Sequence, residues 1–203
     1  VQDPRLWNDF LVSGTELVLG YTGAALLGIP LGIAAGWYRR FNFFVDPWLN
    51  FLNATPRVAL LPLIVLWVGI GIWSKIVVVF LGAFFTIVIN TLYGVRTVDG
   101  RLLEVAASFG APQRHVFLSV VLPGSVPFVL AGLRLGVGRA LIGVIVGELY
   151  AANAGVGYMI IVASHTLQTD RLLFGVLLLT GMGVVGVELL RLAERRFQRW
   201  RPR

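Results

Sequence analysis

Long apolar runs separated by short polar clusters set the pattern of this chain. Residues 17–38 are 22 positions without a charge, enough for a helix across roughly 30 Å of hydrocarbon, and a first span is predicted over 9–38. Pro30 is expected to kink it. Gly28, Gly32 and Gly36 form a row of small residues that lets helices approach closely in lipid. Arg39 and Arg40 close the span. Residues 41–53 are aromatic and partly polar, as an interfacial segment would be, and Asp46-Pro47 reads as a helix start. A second uncharged stretch, 58–74, is only 17 residues long. Pro56 and Pro62 lie near its start and Gly69-Ile70-Gly71 ends it, with Trp67 and Trp73 placed as interfacial aromatics. Lys75 opens a third span, 76–95, which Arg96 ends. After a polar interruption at 99–123, a fourth span starts near Pro123 and Pro127 and runs to about Gly147. It carries Arg134 and Arg139, and Glu148 marks its far end. Residues 151–170 are moderately polar and contain Gly155-Val156-Gly157, which predicts a re-entrant or surface segment. Residues 172–187, extended by Glu188, form a last span, and 191–203 is a basic tail. The predicted fold is an all-α polytopic membrane helix bundle of about five spans.

Composition supports lipid as the solvent. The chain is 57% hydrophobic and 13% charged, with a mean hydropathy of +0.83, against about 25% charged in soluble domains. The net charge is +7. A basic balance suits either nucleic acid or an anionic membrane surface. Here the arginines sit at the ends of apolar runs, which favours the membrane and argues against nucleic acid. Basic residues also orient the bundle. With Arg39, Arg40, Arg96, Arg101, Arg114 and the six tail arginines in the cytoplasm, 11 basic residues lie inside and three (Arg5, Lys75, Arg171) outside. Arg57, Arg134 and Arg139 stay unassigned. The N-terminus is then outside and the C-terminus inside, and the polar interruption at 99–123 is cytoplasmic. Residues 1–10 are mixed and polar, so no secretory signal is visible, and there is no initiating Met.

Several chemistries lack their residues. There is no Cys, so disulfides and Cys-based metal sites are excluded. Lys75, the single lysine, is followed by Ile76, so the Gly-Lys-Ser/Thr of a phosphate-binding loop is absent. His115 and His165 are 50 residues apart in sequence and lack metal-ligand spacing. No G-x-S-x-G occurs. Neither a metal nor a cofactor is expected.

The polar interruption is the most informative stretch. It carries Asp99, Arg101, Glu104, Gln113, Arg114 and His115. Residues 101–109 are good helix formers, Gly110 suits a left-handed cap, and Pro112 fits the first turn of a second short helix. Ala106 with Gly110, and Ala107 with Ala111, are spaced i,i+4. Such small residues would let another protein's backbone approach. Glu104-Val105-Ala106 is followed after three residues by Gly110, and nine residues later by Val120-Val121-Leu122-Pro123. This layout resembles the E-A-A-x3-G-x9-I-x-L-P signature of the inner-membrane permease subunits of bacterial ABC importers. Val105 and Val120 depart from it while remaining apolar. Further stretches resemble the nitrate/sulfonate/taurine branch: Asp46-Pro47, Thr55-Pro56-Arg57, 62–71, Trp73-Ser74-Lys75, Asn90-Thr91, Gly94-Val95 and Gly155-Val156-Gly157. The resemblance covers about residues 15–195.

The resemblance implies a single importer-type transmembrane domain whose family has six core spans, the first missing here, as in an N-terminal truncation. It implies the pathway subunit of an ATP-driven importer in a bacterial cytoplasmic (inner) membrane, working by alternating access. The implied partners are a dimer of cytoplasmic ATPase subunits, a second permease subunit, an extracytoplasmic substrate-binding protein and membrane lipid. ATP hydrolysis would lie in the ATPase, so the chain itself is not an enzyme. Glu104, Ala106, Ala107, Gly110, Ala111 and Pro123 would form the ATPase-coupling segment. The implied solute is a small anion such as a sulfonate or nitrate. A membrane-bound enzyme such as a lipid transferase, and a scaffold without transport, are the competing readings.

Charges inside spans are costly and generally meet a partner or a water-filled path. Arg134 and Glu188 are expected at similar depth, either as an ion pair or with Arg134 snorkelling to the interface. Arg139 is expected nearer the midplane, paired with a carboxylate or attracting an anionic solute. Glu148 is expected at the outer mouth.

Overall fold

The computed structural model describes the backbone of residues 4–151 and 153–198, and every regular element among them is helical. Helix α1, Pro4–Trp37, has 34 residues and runs through Pro30. Its length is about 50 Å at 1.5 Å per residue, more than a hydrocarbon core needs. Tyr38 alone separates it from α2, Arg39–Ala54. Pro47 lies inside α2 rather than at its start, and Asp46 receives a hydrogen bond from Asn50 Nδ2 at 3.0 Å one turn on.

The second predicted span is not one helix. A 3₁₀ turn at Arg57–Leu60 leads into α3, Leu61–Val68, and this unit is bent by 87° from α2. Gly69 then takes a φ of +89°, which ends α3 in a region that favours glycine. Ser74 therefore belongs to α4, Ile72–Arg96. The break falls at Gly69-Ile70-Gly71, the stretch that ends the span in the sequence pattern, while the uncharged run on to Ser74 carries the predicted bounds past it.

Helix α4 is the centre of the bundle, held between α1 and α7, Leu122–Ala151. Its side chains Val79, Ala83 and Ile87 are fully buried with Ala24 of α1 and Ala140 and Val144 of α7. The predicted glycine row is the α1–α4 seam. A Cβ on Gly32 would stand 2.6 Å from Thr91 Cβ and 2.7 Å from the Val88 carbonyl.

The polar loop after α4 holds α5, Gly100–Ser108, and α6, Gln113–Val116. A π-helical turn, Phe117–Val121, joins α6 to α7, Leu122–Ala151. Helix α8, Val156–His165, has ten residues and spans about 15 Å, too short to cross about 30 Å of hydrocarbon by itself. It returns through Leu167 (φ 55°) into α9, Thr169–Gln198. Among the described residues four helices are long and apolar enough to cross a membrane, or five if α2 and the 57–68 unit together count as one bent span. Arg199, Arg201 and Arg203 of the basic tail lie outside the described residues, as do the side chains of Arg5, Arg195 and Arg196.

Candidate functional site

Three polar sites interrupt the apolar bundle at three depths. The first is the loop between α4 and α7. Asp99 caps α5, its Oδ1 accepting from the Arg101 N–H at 3.0 Å. The helix ends at Ser108, earlier than the small-residue spacing suggested, so Ala106 with Gly110 and Ala107 with Ala111 do not continue as helical faces. Instead Gly110 (φ 66°) closes the end: its N–H donates to the Ala107 carbonyl at 2.9 Å, and the Ala111 N–H to the Ala106 carbonyl at 3.0 Å. This paired closure is a Schellman motif, with glycine at the left-handed position. Pro112 sits at the N-cap of α6 rather than in its first turn. No residue of α5 is buried. Glu104, Ala107 and Gly110 are exposed, Ala106 and Ala111 half-buried, and Leu102, Val105 and Phe109 stand open to solvent. Pro123, the second residue of α7, is exposed as well.

The second site is a lateral cavity of about 680 Å³ lined by α4, α7 and the bend between α2 and α3. Arg57 and Arg139 both face it, with Asn53, Thr86 and Asn90 among the polar wall. Arg57 is fixed from three sides. Its Nη1 donates to the Gly82 carbonyl at 3.0 Å, its Nη2 to Asn53 Oδ1 at 2.7 Å, and its guanidinium lies 5.3 Å from the centre of the Phe85 ring. The carboxylate expected beside Arg139 is not there: among the described residues no acid pairs with it.

The third site lies where the N-terminal part of α1, the first turn of α4, the end of α7 and the start of α8 meet, and much of it is invisible in the sequence pattern. Lys75, predicted in an outer loop, is buried in the first turn of α4 and pairs with Glu16 at 2.5 Å. Glu148, predicted at the outer mouth, is 1% exposed. It accepts from Ser13 Oγ and from the Gly157 N–H, each at 2.5 Å. The Val156 N–H donates to Ser13 Oγ at 2.8 Å and the Gly155 N–H to Asp9 Oδ1 at 2.9 Å. Three N–H groups at the start of α8, which no helical carbonyl can satisfy, are thus held by side chains of α1 and α7. Asp9, Ser13 and Glu16 carried one usable signal: their i,i+3 and i,i+4 spacing puts them on one face.

The predicted Arg134–Glu188 pair is replaced by two others. Arg134 meets Glu194 instead, and Glu188 pairs with Arg191 at 3.2 Å. Glu194 lies about 9 Å further along α9 than Glu188, which matches an arginine reaching toward the interface.

The family described as binding-protein-dependent transport system inner membrane component matches residues 28–199. A Bacillus subtilis (strain 168) protein bearing the name of an aliphatic sulfonates transport permease is 37% identical over 197 residues, 97% of this chain and 71% of that one. The taurine transport system permease protein of Escherichia coli (strain K12) is 35% identical over 198 residues, covering 98% of this chain and 72% of the relative. In fold, a chain from inward-facing structures of the MetNI methionine ABC transporter superimposes with a TM-score of 0.73 at 18% identity, over 94% of this chain and 98% of that one.

Proposed function

The chain belongs to the binding-protein-dependent transport system inner membrane components, the permease subunits of ABC importers, and from that premise we propose that it carries a small anion of the sulfonate class across a bacterial cytoplasmic membrane, driven by ATPase subunits bound to α5. The observation that carries this reading is the unburied α5, capped at both ends and projecting from the side the arginine distribution assigns to the cytoplasm. An isolated nine-residue helix is marginal in water. The Asp99 cap and the Gly110 closure hold it in shape without a partner, and its small residues let a groove close around it.

Force applied to α5 reaches the bundle by short routes. Residues 97–99 connect it to α4, and α6 with the π-helical turn connects it to α7. Because α4 and α7 pack against each other through fully buried side chains, displacement of α5 shifts the pair as a unit. Packed interfaces switch between discrete arrangements rather than bending smoothly, which suits a pathway that opens to one side at a time. A second permease subunit would complete the pathway, and an extracytoplasmic binding protein would deliver the solute. The sulfonate assignment takes its support from the relatives named for sulfonates and taurine.

Co-purification tests the assignment: a Walker-type ATPase should be retained stoichiometrically, whereas a lipid transferase or a scaffold would retain none. Glu104→Arg and Gly110→Trp should each lower ATP-driven uptake by at least about tenfold, equivalent to about 1.4 kcal/mol of coupling, while insertion stays intact. Wild-type uptake in both variants would refute the docking role of α5.

A further inference from the structure

Two guanidinium groups share the lateral cavity without an acid. Gly82 brings them together. Its carbonyl accepts the Arg57 Nη1 hydrogen bond at 3.0 Å, and a Cβ built on it would stand 2.8 Å from the Arg139 carbonyl oxygen, so α4 and α7 touch backbone to backbone there. Gly82 lies two residues from the middle of α4, about 3 Å along an apolar helix long enough to span a membrane. An unpaired charge inside such a helix bundle is costly, and such residues mark a water-filled path or a bound counter-ion. The cavity wall contains Val58, Val78 and Val146 besides its polar groups, and no Asp or Glu.

We propose that this cavity is an anion-binding station within the transport pathway, with Arg57 as its fixed anchor. The oxyanion head of a small sulfonate would lie between Arg57 and Arg139, and its apolar tail against Val58 and Val146. Arg57 spends only two of its five N–H donors on Asn53 and Gly82, which leaves donors for a planar or tetrahedral oxyanion. Its geometry is set before the solute arrives, so little order is lost on binding. Arg139 is exposed toward the cavity and supplies the second charge. The volume of about 680 Å³ admits a small solute together with water, which keeps binding weak enough for release. With no carboxylate on the wall, a solute bearing an ammonium group gains no partner, so plain alkanesulfonates are held better than aminoalkanesulfonates. This inference rests on the reading of the chain as an importer of small anions.

The chain has no Cys, so Ile142→Cys places a single thiol on the cavity wall. In the assembled transporter, its modification rate is measured with two methanethiosulfonate reagents, one with an anionic ethylsulfonate head and one with a trimethylammonium head. The anionic reagent should react at least about tenfold faster, since two cations within several ångströms favour it. Free ethanesulfonate should slow that reaction more than taurine does. The rate ratio should fall to about one when Arg57→Gln and Arg139→Gln are combined, and Arg57→Lys with Arg139→Lys should restore most of it. A ratio near one before the arginines are changed, a ratio the glutamines leave intact, or a thiol that neither reagent reaches would overturn the station. The reading of the chain as an importer fails separately, by loss of the co-purifying ATPase, because labelling rates do not depend on ATP hydrolysis.

Discussion

Glu16 is wholly buried, and its counter-charge Lys75 is 5% exposed. A buried ion pair contributes little net stability, but removing one partner strands the other. Lys75→Met should therefore destabilise the bundle by about 3–5 kcal/mol, read as a lowered unfolding temperature in detergent. Adding Glu16→Leu to that variant should recover most of the loss. If the double variant is no more stable than Lys75→Met alone, the pair is not what holds α1 to α4 at this end. None of this was legible in the sequence. Lys75 follows Trp73 and Ser74 at the boundary of two apolar runs, where a lysine normally faces water, and only α1 lying across α4 encloses it. Gly155-Val156-Gly157 was visible as a motif, but its cause was not. Gly155 has a φ of +122°, and a Cβ there would fall inside the Glu148 carboxylate. Arg57, between Pro56 and an apolar stretch, gave no sign of facing a cavity, because the sequence does not disclose the 87° bend that turns it inward.

Helix α1 shows what periodicity can reveal about an element. The spacing of Gly28, Gly32 and Gly36 predicted a packing face, and each of the three lies against α4, at Ile87, Thr91 and Val95 respectively. A side chain at Gly32 would meet the Val88 carbonyl as well as Thr91, and backbone cannot yield as a flexible side chain does. Gly32→Val should cost about 1–3 kcal/mol through overpacking, measured by thermal unfolding. Gly138→Ala, inside α7 where nothing lies within 4 Å, should instead raise stability by about 0.5–1 kcal/mol, because a clash-free Cβ restricts the unfolded chain. Equal effects at the two positions would mean that the seam does not depend on close approach. The bent unit at 57–68 shows the opposite limit. Hydropathy measures transfer into lipid, and a broken segment is as apolar as a continuous one. The glycines of Gly69-Ile70-Gly71 mark the separation of α3 from α4, but nothing in hydropathy marks the 87° bend from α2.

At the scale of the molecule, the helical bundle, the short α8 and the position of the polar loop were all legible, because each follows from where charges interrupt apolar runs. Side-chain pairing across helices was not, since it depends on rotation and depth: Arg134 reaches Glu194 rather than Glu188. The three polar sites are stacked in depth along the same central packing of α1, α4 and α7. The loop with α5 lies at one end of that packing, the arginine cavity between, and the Glu16–Lys75–Glu148 cluster at the other end. Under the mechanism proposed above, a motion imposed at α5 would alter access to the cavity, while the Ser13 and Glu148 side chains hold the start of α8 against the bundle. The central claim is that α5 lies in the cytoplasm and is gripped there by an ATPase. Ala107→Cys provides the only thiol in the chain, on an exposed face of α5. Its labelling by a membrane-impermeant maleimide is compared in sealed right-side-out and inverted vesicles, with and without the bound ATPase. The account predicts labelling in inverted vesicles only, and protection once the ATPase is bound. Labelling from the outer face, or undiminished labelling beneath a stoichiometric ATPase, would contradict it.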